Sequence, residues 1–244
     1  MLSPKARRTN VLVPYPEHGM MVKRYRDLPW PVIGQAACGL RYPFALIGEY
    51  RYRTEERKAD IAQAAGLELG VKYRDFVPDD YGPFVMMTLE HDFVTVEDKL
   101  RSGISADDAF TLVGKCAAAL REFNRIMPHG DPYLENFRIT KNGILLYDLE
   151  HDHPCEDSEA MMRDRKFFMA HVADVFRECG YLQNAAQYER LLGIMDEQYP
   201  TPTPHAYTLG SLGRLYFTLR FGKELMQPSP EAHEASARND LPSP

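Results

Sequence analysis

The sequence predicts an α+β protein of two lobes, a strand-rich N-terminal lobe with one main helix and a helical C-terminal lobe. Two patterns and one composition argument carry this. Up to about residue 95, short apolar runs of strand length alternate with turn residues and a single helical stretch. Beyond it, apolar residues recur at helical spacing over several long segments. The composition is that of a globular protein: 44% of the 244 residues are hydrophobic, 26% are charged, and 12 Phe and 14 Tyr supply material for a core. With 29 basic and 35 acidic side chains the net charge is −6, which argues against a nucleic-acid partner, since such a protein shows a basic face.

The elements follow in order. Asn10–Pro14 and Met20–Tyr25 read as strands of a hairpin around Pro16-Glu17-His18-Gly19. Asp27 to Gly48 is punctuated by proline and glycine and reads as loop. Arg53 to Ala65 reads as a helix with Thr54 as its cap and Gly66 as its stop. Val71–Val77 and Pro83–Leu89 are two further strands. Ser105 followed by Asp108 has the form of a capping box and opens a helix through Asn124, with Phe110, Val113, Ala117, Leu120 and Phe123 on one stripe. Helical pattern returns at Ser158–Cys179, Ala185–Gln198 and Leu209–Leu225. The stripe Phe167, Phe168, His171, Val172, Val175 and Phe176 reads as a core face. The predicted domains are 1–90 (N-lobe), 91–226 (C-lobe) and a disordered, Pro- and Ser-rich tail over 227–244. No internal repeat is apparent.

Cys38, Cys116, Cys155 and Cys179 show no C-x-x-C spacing, so a reduced, cytoplasmic setting is expected. No secretory signal and no membrane-spanning run is read in the sequence. The aromatic and basic stretch 209–221 reads as a packed last helix, with peripheral membrane contact as its rival.

The chemistry concentrates in residues 129–152, HGDPYLENFRITKNGILLYDLEHD. Phe137–Thr140 and Ile144–Tyr147 read as a hairpin around Lys141-Asn142-Gly143. Pairing Thr140 with Ile144 sets Asn136 opposite Asp148 at the open end, an amide oxygen beside a carboxylate. Such oxygen ligands suit Mg²⁺, which takes one or two from protein and the rest from water and phosphates. Asp131, in the loop before, is placed to accept a proton from a substrate hydroxyl.

This arrangement resembles the protein-kinase-like phosphotransferases. His129-Gly130-Asp131, four residues, Asn136, then a hairpin and Asp148-Leu149-Glu150 stand where that family has its catalytic loop and D-F-G motif. The resemblance implies a two-lobed protein-kinase-like fold and an ATP- and Mg²⁺-dependent transfer to a hydroxyl, with Asp131 as catalytic base and Asn136 and Asp148 as metal ligands. His129 would be a scaffold residue, and Asp164 would anchor the backbone of the catalytic loop. Lys23 would hold the ATP phosphates, paired with Glu55 or, as a rival, Glu56. Val85–Glu90 would be the last N-lobe strand and the hinge, where the adenine would bond backbone around Thr88 and Glu90.

Departures are visible too. There is no G-x-G-x-x-G loop, no A-P-E motif and no room for a long activation loop, and Glu150 replaces the family's glycine. The compact H-G-D form is more similar to small atypical members: the kinase of the KEOPS complex, RIO kinases, InaA-type lipopolysaccharide kinases and aminoglycoside phosphotransferases. A protein serine or threonine is favoured as acceptor, because no small-substrate insertion is apparent; a small-molecule, sugar or lipopolysaccharide kinase is the alternative, and an inactive pseudokinase the rival of another class. Arg51, Arg53, Arg57 and Lys58 read as a solvated helix edge, and the His151–His153 stretch as a solvated loop rather than a transition-metal site.

Overall fold

The computed structural model describes residues 10–25, 48–78, 82–88, 93–151 and 157–198. The loop over 27–47, Glu90, the stretch 209–221 and the tail therefore lie outside the described residues. Two compact units emerge, Met1–Asp98 with Ala119–Phe168, and Lys99–Ala118 with Met169–Pro244.

The first unit holds a four-stranded antiparallel sheet. Strands β1 (Asn10–Tyr15) and β2 (Met20–Tyr25) form the expected hairpin, closed by a 3₁₀ turn at Pro16–His18 and by Gly19 in the left-handed region (φ 58°). Strands β3 (Tyr73–Val77) and β4 (Phe84–Thr88) complete it in the order β1-β2-β4-β3. Helix α1 runs Gly48–Ala64, so it begins at least a turn before the expected Arg53, and Thr54 is a buried interior residue rather than its cap. Tyr25, Tyr52, Val85 and Met87 are buried together, with Met21, Tyr73 and Phe76 against them. Their rings meet edge-on, Tyr25 to Tyr52 at 5.7 Å and Tyr52 to Phe76 at 5.9 Å between centroids, and each such ring contributes about 1.5–3 kcal/mol of burial.

A second, three-stranded sheet in the order β5-β6-β7 carries the hairpin read from the sequence. It comprises β5 (Val94–Thr95), β6 (Phe137–Thr140) and β7 (Gly143–Leu146). The two-residue β5 and the short helix α2 (Val96–Arg101) were not expected from sequence, being too brief to show a period. The hairpin register differs by one residue from the expectation. Thr140 pairs with Gly143 and Phe137 with Leu146, so the loop has two residues, Lys141 and Asn142, and Gly143 (φ 138°) is the first residue of β7.

Helix α3 (Ala106–Asn124) starts where expected: Asp108 N–H donates to Ser105 Oγ at 3.1 Å, and the hydroxyl donates back to the Asp108 carboxylate at 2.7 Å. Its stripe from Phe110 to Phe123 is buried throughout. Helices α4 (Asp157–Glu178) and α5 (Ala185–Gln198) match the expected spans within a residue. On α4, Phe168, Val172, Val175 and Phe176 are buried, and Phe167 and His171 half-buried. In the second unit Phe110 meets Phe176 edge-on at 5.1 Å, and Tyr181 donates its hydroxyl to the Leu100 carbonyl at 2.8 Å. No helix among the described residues is long and apolar enough to cross a membrane.

Candidate active site

The period of two in β2 puts Lys23 and Tyr25 on the same face. Lys23 is buried, and its ammonium is bonded to Glu55 on α1 at 2.6 Å, to Asp148, and lies 3.1 Å from Glu150. Glu55, not Glu56, is the helix partner. Its carboxylate also accepts the hydroxyl of Tyr25 and, at 2.6 Å, that of Tyr73. Glu56 is half-buried and bonds Arg53 at 3.2 Å near the surface. Burial works against the charge of Lys23, but Asp148, Glu150 and Glu55 outweigh it and hold the ammonium well above the usual lysine range. Glu55, Asp148 and Glu150 converge closely enough to hold a cation. Lys23 is that cation here.

The segment before the hairpin is fixed by one acid. Asp164, fully buried on α4, accepts the backbone N–H groups of His129 at 2.5 Å and Gly130 at 2.8 Å and the side-chain amide of Asn124 at 2.9 Å. His129 is buried in turn. Its Nδ1 accepts the N–H of Asp131 at 3.3 Å and its Nε2 donates to the Tyr147 carbonyl at 2.9 Å, so the ring is the neutral Nε2–H tautomer. Burial lowers its pKa to about 4. Asp131 is pushed up to about 7, chiefly by burial, with Asp148 and Glu150 adding to it and His151 opposing.

Beyond the hairpin the one-residue register difference places Asn136 opposite Tyr147, whose N–H donates to the Asn136 carbonyl at 3.1 Å, with Asp148 one residue further. The Asn136 side-chain amide donates to the Asp131 carbonyl at 2.7 Å, which turns its Oδ1 away from that bond and leaves it as the oxygen for a ligand. Asp148 is the one non-glycine residue with positive φ (64°) among the described residues, a conformation that costs an L-residue about 1–2 kcal/mol and gathers at functional sites. Leu149 is buried behind it. Glu150, also buried, is bonded by Asn10 of β1 and lies 3.7 Å from Arg51 and 3.2 Å from His151. Burial raises its pKa, but Lys23, His151 and Arg51 more than compensate, holding it well below the usual carboxylate range.

Among solved structures, the chain is similar to WaaP in complex with acyl carrier protein, with a TM-score of 0.52 at 13% identity over 89% of this chain and 85% of that one. It is also similar to the Mycobacterium tuberculosis PknI kinase domain, in a form with one cysteine replaced by alanine, with a TM-score of 0.44 at 18% identity. That likeness covers 68% of this chain and 66% of the PknI domain, just under two thirds. The chain has a protein-kinase-like fold. No protein-family model and no curated protein matches the sequence.

Within this fold and inside one unit, Lys23 bonds both Glu55 and Asp148, Asn136 bonds Asp131, and the Tyr147–Asn136 backbone bond sets the two groups side by side. Thr88 ends β4, half-buried, and accepts a hydrogen bond from Arg74 at 3.2 Å; Glu90 lies outside the described residues. Two expectations are corrected. Arg51 and Lys58 are fully buried, whereas Arg53 and Arg57 do lie on a solvated edge. His151 is not a solvated loop residue but pairs with Glu150. Tyr25, Tyr73, Asn10, Arg51 and Lys58 were missed as parts of the site. For the two cations a signal existed: positions 51, 55 and 58 share one helical face, but a helix begun at Arg53 leaves Arg51 outside it.

Proposed function

We propose that the protein is an ATP- and Mg²⁺-dependent phosphotransferase that moves the γ-phosphate to a hydroxyl. The observation that carries this is the Lys23–Glu55 ion pair joined directly to Asp148, with Asn136 bonded to the Asp131 backbone. The donor set fits Mg²⁺: Asn136 Oδ1 and the Asp148 carboxylate are hard oxygens, and they are the residues that would hold it. When bound, the ion neutralises charge on the phosphates. Lys23 binds phosphate oxygens from its place on β2 while Glu55 steadies its ammonium. Asp131 orients the acceptor hydroxyl and accepts its proton, from a loop that Asp164 and neutral His129 hold in place. The backbone near Thr88 and Glu90 receives the adenine.

A protein serine or threonine is the acceptor we take first, because no inserted small-substrate helices are read between residues 96 and 124; a sugar, small-molecule or lipopolysaccharide hydroxyl is the alternative. The lobe boundary near residue 90, the tail from 227 and a cytoplasmic setting belong to the same reading. A second reading, a binding or scaffold protein without catalysis, draws on Glu150, which stands at the family's glycine position and lies 3.1 Å from Lys23.

Radiolabelled ATP with Mg²⁺ separates the two. Wild type should transfer label to itself or to an added protein or sugar acceptor. Asp131→Ala and Asp148→Ala should lose at least about a hundredfold in rate, the scale on which a positioned acid–base group acts. Turnover equal in all three proteins would sink the proposal, and a thermal shift with Mg²⁺–ATP but no turnover would favour the scaffold reading.

A further inference from the structure

Helix α1 sends charged side chains inward at 51, 55 and 58, one above another on a single face. Arg51 donates to Asn10 at 2.7 Å and lies near Glu150, and Glu55 bonds Lys23. Lys58 is fully buried, and its ammonium donates to two main-chain carbonyls, that of His129 at 2.8 Å and that of His151 at 2.5 Å. His129 stands two residues before Asp131, and His151 three residues after Asp148. One side chain therefore ties the helix that carries Glu55 to the segments that carry Asp131 and Asp148.

Two carbonyl oxygens that converge on one point repel each other and cannot bond each other. A donor between them is required, and an ammonium with three N–H groups meets both at once. A merely space-filling role beside Ala59 and Ala62 would be served by an apolar residue, but such a residue would leave both carbonyls without their donor in the interior. We propose that Lys58 is a positioning residue for phosphoryl transfer: its ammonium sets the spacing of the Asp131 and Asp148 segments and locks both to α1. This rests on the phosphotransferase reading, and it adds a residue that touches neither nucleotide nor acceptor.

The test uses the full chain with Lys58→Met, which removes the donors, and Lys58→Arg, which keeps them. In Lys58→Met, kcat should fall on the order of 10- to 100-fold, the effect of a displacement of about 1 Å at reacting groups, with KM for Mg²⁺–ATP within about threefold. Lys58→Arg should recover most of the loss. Hydrogen exchange should quicken in 129–131 and 148–151 of Lys58→Met while α5 exchanges as in wild type. Should Lys58→Met fail to fold, Lys58→Gln, shorter but with N–H donors kept, should show an intermediate kcat at unchanged KM; a wild-type kcat in Lys58→Gln overturns the proposal. Normal wild-type turnover with unchanged kcat or unchanged loop exchange in Lys58→Met overturns the assignment of Lys58 alone. A wild type without ATP turnover overturns it together with the phosphotransferase reading.

Discussion

Acidification should destabilise the protein through His129. The ring is fully buried, its Nδ1 is occupied by the N–H of Asp131 and its Nε2–H by the carbonyl of Tyr147, so a second ring proton would confront a donor. Burial lowers its pKa from 6.5 to about 4, helped by the charge of Lys58 and opposed by Asp164. Because the folded value lies below the unfolded one, the unfolded chain binds the extra proton first. The stabilisation is therefore complete above about pH 6.5 and drains away as pH falls toward about 4. A difference of 2.5 units (6.5 − 4) is worth about 3 kcal/mol in full, of which about 2 kcal/mol disappears between roughly pH 7.5 and pH 5. Urea unfolding at a series of pH values, with wild type and His129→Gln side by side, isolates this part from the other titrating groups. Wild type should lose about 2 kcal/mol more than the variant over that interval. Parallel curves, or an imidazole NMR signal of His129 titrating near 6.5, would refute the reasoning.

Three further perturbations test the supports of the site. Asp164→Ala strands the N–H groups of His129 and Gly130 and the amide of Asn124 in the interior; at about 1–3 kcal/mol each, the urea midpoint should report a loss of at least about 3 kcal/mol, and a loss below about 1 kcal/mol would show that the acid is dispensable. Gly70→Ala brings a Cβ to 3.2 Å from the Leu145 carbonyl and the Tyr147 ring and to 3.3 Å from the Arg138 Cβ, and such crowding should cost about 1–3 kcal/mol in thermal unfolding. An unchanged transition would mean that the backbone there yields freely. Ser105→Ala removes the cap of α3 and should cost about 1 kcal/mol, recovered largely by Ser105→Asp; equal stability of all three proteins contradicts the cap.

The sequence alone determined what depends on neighbours along the chain. Alternation and turn residues set β1, β2 and the second hairpin, and helical spacing set α3, α4 and α5, because these patterns arise within a few residues. Asp131, Asn136 and Asp148, the residues we propose for the chemistry, could be read together for the same reason: all three lie within one loop and one hairpin. Local reading failed where local cues competed. Thr54 has the residue type of a cap but is buried inside α1, which reaches back to Gly48. The Lys141-Asn142-Gly143 turn offers two registers, and cross-strand pairing chose the shorter loop.

Tertiary structure alone decided which charges are buried. Lys23 and Glu55 are 32 positions apart, Lys23 and Asp148 are 125, and Asn10 and Glu150 are 140. Helical spacing in α1 groups Arg51 with Glu55 and Lys58 and sets Arg53 and Arg57 on another face, but nothing local says that the first face goes inward and the second stays in water. Burying a charge is too costly without a partner, and the partners of Arg51 and Lys58 come from β1 and from the segments on either side of the second hairpin. The orientation of that helix face is therefore a property of the folded chain, fixed where distant carbonyls and carboxylates meet its cations.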